Sequence, residues 1–496
     1  MSGKLKKEYG DYQTPLDFCQ KVCEYIKFHE CQISTKVILE PTCGIGNFLC
    51  AASTVFGDNT SFGIEINEEY ANIAATRNPA SKIIIGNIFD INTQEICDTE
   101  DILIIGNPPW ATNSNQEFNL PKKVNFKKLR GIDALTGSSN FDICEYIILK
   151  LLDNHRDTNS TICMLCKTTV ARNILLEISR NNINYQKVEI LNFNGSKVFG
   201  ISASACVLFI KLTPDKSPFE EVICDVKNFD DGALIDRLCV HNGIIKTANS
   251  KNDFEGKSQF TWRQGVKHDC SKVMELDLKN NELVNKQKAV VNIEDTLVYP
   301  LVKSSHFKSP IINEFSKYVI VTQHKPKEDT EYIRAEHPLT WAYLNENIEY
   351  FNNRKSVIYK KSAPFAMFGV GDYSFAPYKV GLSGFYKEPL FCLLHSDKPV
   401  MTDDTSYFLA FNNYDIAYCM MLLLNSKDVQ DFLKSIAFLD NKRPYTVKLL
   451  SRLDFKKCVD NTSFEIMKKT EYYLNLVDYL TDGMYQEFKQ YIYSIK

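Results

Sequence analysis

Residues 37–48 read VILEPTCGIGNF, an apolar run that leads into an acidic residue and then into a loop with two glycines. The apolar run of Val, Ile and Leu favours a buried β-strand. Gly44 and Gly46 permit a tight turn before a helix begins at Asn47. A strand that passes through a glycine loop into a helix is typical of nucleotide-binding α/β folds. This stretch therefore predicts the first strand, turn and helix of such a domain.

The alternation of short apolar runs with helical segments continues to residue 210. Strands are predicted over 36–39, 61–66, 82–85, 101–105, 161–165, 187–191 and 205–211. Helices are predicted over 47–55, 68–76, 141–154 and 169–180. Such an alternation produces a parallel sheet covered by helices on both faces. We therefore expect a doubly wound, seven-stranded, Rossmann-like α/β domain.

A change in the sequence pattern after residue 211 predicts a second domain. The chain has 496 residues, more than one ordinary core contains. Pro214 and Pro218 break the pattern, residues 246–258 are polar, and no further alternation of strands and helices follows. We place the boundary near residue 215, with domains at 1–215 and 216–496, the second of the α+β type.

Composition excludes several classes of protein. With 58 Lys and Arg against 61 Asp and Glu, the formal charge is −3, so a nucleic-acid partner requires local basic patches. A hydrophobic content of 44% excludes general disorder, and no apolar run approaches the ~20 residues that span a bilayer. The 16 scattered cysteines indicate a reducing compartment and show no zinc-site spacing. We expect a cytoplasmic protein without a metal or a membrane role.

The loop at 40–48 favours a cofactor without phosphates. Glu65 ends the second predicted strand 21 residues after Gly44, the spacing at which an acidic side chain accepts hydrogen bonds from ribose hydroxyls. The loop lacks the third glycine of GxGxxG and carries Glu40 at its mouth, which suits a cation better than a pyrophosphate. The sulfonium cofactor S-adenosylmethionine fits both features. The turn at 86–89, which follows the third strand, can offer its adenine a polar group and an apolar wall.

The fourth predicted strand runs into Asn107-Pro108-Pro109-Trp110. Prolines hold the chain extended and donate no backbone hydrogen bond, so the Asn107 side chain and the Pro108 carbonyl are fixed as acceptors beyond the carboxyl edge of the sheet. Acceptors aimed at one point can hold an exocyclic amine through its protons and leave its lone pair free to attack a methyl group. Trp110 can stack on the ring that carries the amine, as a flipped base requires.

The order of these motifs resembles the gamma class of adenine-specific DNA methyltransferases from bacterial restriction–modification systems, of the TaqI type. The resemblance covers residues 10–211 motif by motif. It implies catalytic roles for Asn107, Pro108, Trp110 and Phe199, the last facing the flipped base. It implies cofactor contacts for Thr14, Pro15, Glu40, Thr42, Gly44, Gly46, Glu65, Ile66, Asn87, Ile88, Asn107 and Phe141. It further implies a double-stranded DNA substrate, a bacterial cytoplasmic location and the possibility of a cognate restriction endonuclease.

Two positions depart from the pattern of that class. Its tetrapeptide usually ends in Tyr or Phe, whereas this chain has Trp110, which stacks but needs a wider pocket. Its adenine-binding turn usually carries Asp, whereas this chain has Asn87, with Asp90 three residues later. Either side chain can accept a hydrogen bond from the cofactor adenine.

Basic segments predict the contacts with DNA phosphates. Five cations lie within nine residues after the tetrapeptide: Lys122, Lys123, Lys127, Lys128 and Arg130. In the second domain we select Lys360, Lys361 and Arg443, and we note two polar clusters at 262–268 and 441–445.

We therefore expect methylation of the N6 amine of adenine at a specific duplex sequence. Three alternatives remain at the level of sequence. The same chemistry could serve an RNA base or a protein glutamine amide. The chain could be a DNA-binding specificity protein without activity. It could also be a fused restriction–modification enzyme, because Asp269 and Asp277 faintly resemble a metal-dependent nuclease pattern.

Overall fold

The computed structural model describes residues 13–29, 37–110, 142–200, 204–241, 243–247, 254–360, 362–439 and 441–495. The chain divides into two compact units, residues 1–249 and 250–496. No helix within the described ranges is both long and apolar enough to cross a membrane.

A ten-stranded sheet forms the centre of the first unit, in the order β10-β9-β8-β6-β7-β5-β4-β1-β2-β3. Its strands are β1 (Val37–Glu40), β2 (Thr60–Glu65), β3 (Lys82–Ile85), β4 (Ile102–Gly106), β5 (Thr161–Lys167), β6 (Tyr185–Phe193), β7 (Ala205–Leu212), β8 (Val222–Asn228), β9 (Leu234–His241) and β10 (Ile244–Thr247). Strands β1 to β5 pair in parallel, whereas β7 runs antiparallel to both of its neighbours. The strand order reverses between β1 and β4, and ligands bind at such a switch point in open α/β sheets.

Helices connect the parallel strands. Their bounds are α1 (Leu16–His29), α2 (Asn47–Phe56), α3 (Glu68–Arg77), α4 (Thr93–Cys97), α5 (Ile143–Asn154), α6 (Thr168–Arg180) and α7 (Gly195–Phe199). Side-chain caps fix several helix starts; Asn67 caps α3 through the Tyr70 amide, and Asp142 caps α5 through the Cys144 amide. Strands β4 and β5 are almost entirely buried, as expected for the middle of a sheet with helices on both faces.

The predicted Rossmann-like fold is confirmed, with three corrections. The sheet has ten strands rather than seven, because β8 pairs in parallel with β6 and carries β9 and β10 beside it. The two compact units consequently divide at residues 249 and 250 instead of near residue 215. The short helices α4 and α7 were not predicted. The seven predicted strands and four predicted helices all occur, with ends shifted by at most two residues.

The second unit contains two five-stranded sheets of mixed orientation. One has the order β11-β20-β17-β18-β15 and the other β13-β12-β16-β14-β19. Their strands are β11 (Arg263–Gln264), β12 (Glu275–Lys279), β13 (Glu282–Asn285), β14 (Val298–Val302), β15 (Ile311–Ile312), β16 (Lys317–Ile320), β17 (Tyr378–Ser383), β18 (Cys392–His395), β19 (Met401–Thr402) and β20 (Ser406–Phe411).

The helices of the second unit lie in its middle and at its C-terminal end. They are α8 (Ser271–Met274), α9 (Tyr332–Glu336), α10 (Pro338–Glu346), α11 (Ile348–Asn352), α12 (Tyr414–Asn425), α13 (Lys427–Ile436), α14 (Val447–Leu450), α15 (Phe455–Asn461), α16 (Phe464–Tyr473) and α17 (Asp482–Ser494). The almost fully buried α12 packs against α16 and α17 on one side and against β17 and β18 on the other. This arrangement agrees with the predicted α+β composition.

Candidate active site

The loop after β1 is held in a shape that only glycine tolerates at two positions. Gly44 has φ +52° and Gly46 has φ +75°, both in the left-handed region. A Cβ atom on Gly44 would lie 2.7 Å from the side-chain oxygen of Gln13, and one on Gly46 would lie 2.4 Å from the Asn78 amide nitrogen. The loop backbone is therefore closely packed by neighbouring side chains and keeps one conformation.

Glu65 at the end of β2 links the loop after β1 to the turn after β2 by hydrogen bonds. Its Oε2 accepts a hydrogen bond from the Gly44 amide at 2.8 Å, and its Oε1 accepts one from the Asn67 amide at 2.8 Å. A carboxylate oxygen has two lone pairs, and these contacts fix the orientation of the group. The carboxylate is thus prepared to receive the two hydroxyls of a ribose.

Glu40 lies at the base of the same loop and is 3% exposed. Its Oε2 accepts a hydrogen bond from the Leu49 amide at 3.3 Å. Burial and, to a smaller extent, the nearby Glu65 carboxylate raise the pKa of Glu40 well above its ordinary value. A cation bound beside the two carboxylates would lower that pKa again, so the pair favours a positively charged ligand.

The start of α1 lies against the loop. The Thr14 carbonyl accepts a hydrogen bond from the Asn47 side chain at 2.7 Å, and the Gln13 side chain accepts one from the Ile45 amide at 3.4 Å. The Pro15 carbonyl accepts the amides of Phe18 and Cys19, as at the first turn of a helix. The structure therefore brings the predicted residue Thr14 to the loop at 40–48, while Pro15 starts the adjoining helix.

The turn after β3 provides apolar surface near Glu65. The Gly86 amide donates to the Glu65 carbonyl at 2.9 Å, and the Asn87 side chain caps a 3₁₀ turn at Ile88–Asp90 through the Phe89 amide at 3.0 Å. Because this cap uses one lone pair of the Asn87 oxygen, the second remains for another donor. Ile88 is buried, whereas Ile66 has 47% of its surface exposed directly after Glu65.

The end of β4 abuts the mouth of the loop. A Cβ atom on Gly106 would lie 3.5 Å from both the Glu40 Cγ and the Pro41 Cδ atoms, so the two strand ends are in van der Waals contact. Asn107 and Pro108 follow directly at this edge. The predicted amine acceptors and the predicted cofactor loop therefore share one side of the switch point.

Trp110 and Phe199 are brought together although they are 89 residues apart in sequence. Their ring centroids lie 5.5 Å apart with an interplanar angle of 66°, an edge-to-face contact. Phe199 also lies 6.2 Å from Phe193, which in turn lies 4.8 Å from Phe18. Trp110 is 9% exposed, and its Nε1 atom has no hydrogen-bond acceptor among the described residues. The tetrapeptide thus ends in an aromatic cluster.

Comparison with known proteins identifies the family. The sequence profile described as N-6 DNA methylase matches residues 2–296 of the chain. The chain is 38% identical over 472 residues to the type II methyltransferase M.NspV of Nostoc sp., covering 91% of this chain and 97% of that protein. The chain belongs to the N-6 DNA methylase family. It is an adenine-specific DNA methyltransferase whose methyl donor is S-adenosylmethionine.

Two further proteins resemble the chain, one in sequence and one in fold. The type II methyltransferase M.CvrRI of Paramecium bursaria Chlorella virus XZ-6E is 26% identical over 170 residues, which is 34% of this chain and 39% of that protein. The type IIL restriction–modification enzyme MmeI, solved in complex with DNA, matches the fold with a TM-score of 0.55. That match has 14% identity and covers 100% of this chain and 77% of MmeI.

The residues of this methylase fit S-adenosylmethionine. Glu65 offers carboxylate oxygens for a ribose, and Ile66 offers exposed apolar surface for an adenine. Thr42, in the loop, has a buried hydroxyl without a hydrogen-bond partner among the described residues. Gly44 and Gly46 give the loop its closed shape, in which the side chains of Gln13 and Asn78 pack against it.

A charged pair that the sequence analysis missed lies at the same edge of the sheet. Lys167, the last residue of β5, donates to the Asp142 carboxylate at 2.7 Å, and Asp142 caps α5. The pair could have been predicted from the single lysine that ends an otherwise apolar strand. The ion pair fixes the position of Asp142, which directly follows the predicted cofactor residue Phe141.

Several predicted residues lie outside the described ranges. They are residues 10–12, where the family resemblance begins, the cofactor residue Phe141, the cations Lys122, Lys123, Lys127, Lys128 and Arg130, and Lys361. Lys360 is exposed in the second unit, and Arg443 is half-buried there against Phe385.

The residues suspected of a nuclease role are engaged in ion pairs. Asp277 pairs with Lys317 across neighbouring strands, and Asp269 lies 3.7 Å from the Lys267 amine. Within the described ranges, no group of three or more His, Cys, Asp and Glu residues is arranged to hold a metal ion.

Proposed function

We propose that this protein is the methyltransferase of a type II restriction–modification system. In this proposal it methylates the N6 amine of an adenine flipped out of duplex DNA at one recognition sequence. The match to M.NspV over nearly the whole of both chains supports the type II assignment. A cognate restriction endonuclease and a location in the bacterial cytoplasm, where the chromosome lies, belong to the same proposal.

The observation that carries the proposed mechanism is the contact between the ends of β1 and β4. It places Asn107 and Pro108 beside the loop whose glycines and Glu65 suit the cofactor. Glu65 would hold the ribose, with Ile66, Ile88 and either Asn87 or Asp90 at the adenine. Residues Thr14, Pro15, Glu40, Thr42, Gly44 and Gly46 would hold the methionine end.

In the proposed reaction the Asn107 side-chain oxygen and the Pro108 carbonyl accept the two protons of the target amine. This contact holds the amine lone pair toward the cofactor and stabilises the positive charge that develops on nitrogen. S-adenosylmethionine supplies an electrophilic methyl group on a sulfonium centre. Trp110 and Phe199 would bind the faces of the extruded base, which has lost its stacking in the duplex.

The Trp110–Phe199 contact constrains how the base enters. The rings meet edge to face at 5.5 Å, and Trp110 is largely covered. A base that stacks on Trp110 must therefore move the Phe199 ring aside or lie against its edge. Since Phe199 ends the five-residue helix α7, a small shift of this short element would be enough.

The test is the variant Asn107→Ala. We expect methyl transfer to a DNA substrate to fall by at least about 100-fold, the scale for loss of a group that stabilises developing charge. We expect S-adenosylmethionine affinity, measured by calorimetry, to stay within a few fold because Asn107 holds the amine. Asn72→Ala, an exposed change on α3, is the matched control. Near-normal turnover of Asn107→Ala would contradict the assignment.

A further inference from the structure

Two polar clusters of the second unit, 262–268 and 441–445, meet in space although about 180 residues separate them in sequence. The Gln264 side chain donates to the Asp404 carbonyl, and the Arg443 Nη1 atom donates to the same carbonyl at 3.5 Å. Arg263 and Gln264 form β11, which pairs with Phe408 and Tyr407 of β20. One surface therefore gathers side chains from both clusters.

Aromatic rings orient the cations of this surface. The Arg263 guanidinium lies 4.4 Å from the centroid of the Tyr373 ring. Arg443 and Lys442 lie 5.2 Å and 5.7 Å from the centroid of the Phe385 ring. We call Arg263, Lys442 and Arg443 the arginine face. Stacking occupies the flat side of a guanidinium and leaves the N–H groups at its edge available.

These N–H groups are largely unused within the unit. The exposed Arg263 side chain makes no hydrogen bond or ion pair with any described residue, and Arg443 makes the single long bond to Asp404. The Asp403 carboxylate accepts hydrogen bonds from Thr405 and Ser406 in a turn, and the Lys267 amine forms an ion pair with Asp269. The Asp404 carboxylate lies near Arg443 and Lys267 and partly balances their charge, whereas the described residues place no carboxylate in an ion pair with Arg263 or Lys442. The arginine face therefore keeps a net positive charge.

The backbone segments beneath the arginine face pack closely against one another. A Cβ atom on Gly265 would lie 2.2 Å from the carbonyl oxygens of Thr402 and Asp403. One on Gly369, which has φ +71°, would lie 2.4 Å from the Gly265 carbonyl. Three segments distant in sequence are thus in direct backbone contact. Cations on so rigid a support lose little conformational entropy on binding.

We propose that the arginine face reads the recognition sequence in the major groove of duplex DNA, with Arg263 and Arg443 each recognising a guanine. This inference rests on the proposed function and deepens it. A planar guanidinium fork donates two hydrogen bonds to O6 and N7 of guanine, whereas a lysine ammonium cannot reproduce that fork. Lys442, a point charge beside Arg443, binds a flanking phosphate. The recognition sequence consequently contains at least two G·C pairs besides the target adenine.

The test uses the full-length protein and a library of duplex oligonucleotides in which methylated sites are sequenced. For Arg263→Ala and Arg443→Ala we expect discrimination at one G·C position to fall by about 10- to 100-fold, at a different position for each variant. Arg263→Lys keeps the charge and should lose the same discrimination. Lys442→Ala should weaken DNA binding equally for all sequences and reduce the salt slope by about one.

Arg334→Ala, an exposed arginine of α9 in the same unit, is the control and should change neither property. If the wild-type protein methylates one sequence motif and the arginine variants keep the same motif, the arginine face does not read bases. If Arg263→Lys behaves as wild type while Arg263→Ala weakens all sequences alike, Arg263 contacts a phosphate and the inference is wrong. If the wild-type protein methylates no duplex DNA, the proposed function itself fails, so the two failures are distinguishable.

Discussion

Glu65 is the residue on which the cofactor side of the site depends most directly. Its two oxygens accept hydrogen bonds from the backbone of the loop after β1 and of the turn after β2. One carboxylate thus sets the shape of two loops and presents acceptors to a ribose.

We expect Glu65→Ala to weaken S-adenosylmethionine binding by roughly 1.5 to 3 kcal/mol, the scale for losing hydrogen bonds to a charged group. Calorimetric titration of the purified variant measures this directly. Glu69→Ala removes an exposed carboxylate four residues away and should leave the affinity unchanged. Unchanged affinity of Glu65→Ala would place the ribose acid elsewhere.

Individual site residues could be predicted where local sequence dictates their geometry. Gly44 and Glu65 are examples, because a glycine turn and an acid at the end of the next strand meet in any sheet of this class. The contact of Trp110 with Phe199, and the packing of Phe193 behind it, depend on how distant segments fold together. No local pattern encodes such a distance.

At the scale of elements, apolar runs located the first seven strands but not their directions. Strand β7 is as apolar as β5, and nothing in its composition distinguishes an antiparallel strand from a parallel one. Strands β8 and β9 have alternating or largely exposed side chains, because they lie near one edge of the sheet. Pro214 and Pro218 precede them, so the sequence suggested a domain boundary where the structure has only a loop.

The central strand β17 contains a buried lysine that makes stability depend on pH. Lys379 is 1% exposed, and its amine donates to the Ala376 carbonyl at 3.0 Å. Burial lowers the pKa of Lys379 to about 7. Between pH 7 and the ordinary lysine value, the unfolded chain therefore binds more protons than the folded one. The free energy of unfolding therefore increases through Lys379 as the pH rises across this window.

We expect Lys379→Met to remove this contribution. The free energy of unfolding of the wild type, relative to the variant, should rise by up to about 1.4 kcal/mol per pH unit above pH 7. Urea denaturation of both proteins at pH 7.5 and 9.5 measures the difference. Lys448→Met, at an exposed position, should follow the wild type. Equal slopes for Lys379→Met and wild type would show that Lys379 titrates normally.

At the scale of the whole molecule, the roles that we propose divide between two units of nearly equal length. The first unit holds every cofactor residue that we propose, and the second holds the arginine face. Because the net charge is only −3, duplex DNA must be attracted by local groups of cations rather than by an overall field. The division at residue 249, instead of 215, decides which part of the chain can be studied alone.

We expect residues 1–249 to fold and bind S-adenosylmethionine, and residues 1–215 to unfold or aggregate. The shorter chain loses β8 to β10 and their buried side chains Val222, Cys224, Leu238, Val240 and Ile245. At about 1.5 to 3 kcal/mol for each large apolar side chain, this loss approaches the whole stability of a typical domain. It also exposes the edge of β6, to which β8 pairs, as a site for association with other chains. Thermal unfolding and calorimetric titration of both chains check this expectation.

The fragment 1–249 should not methylate duplex DNA at a defined sequence, because it lacks the proposed reading surface. Extruding a paired base costs a few kcal/mol, which must come from contacts with the surrounding duplex. The same oligonucleotide library applied to full-length protein and fragment compares their preferences. If the fragment methylated duplex DNA with the preference of the full-length protein, sequence reading would reside in the first unit, and residues 250–496 would need another role.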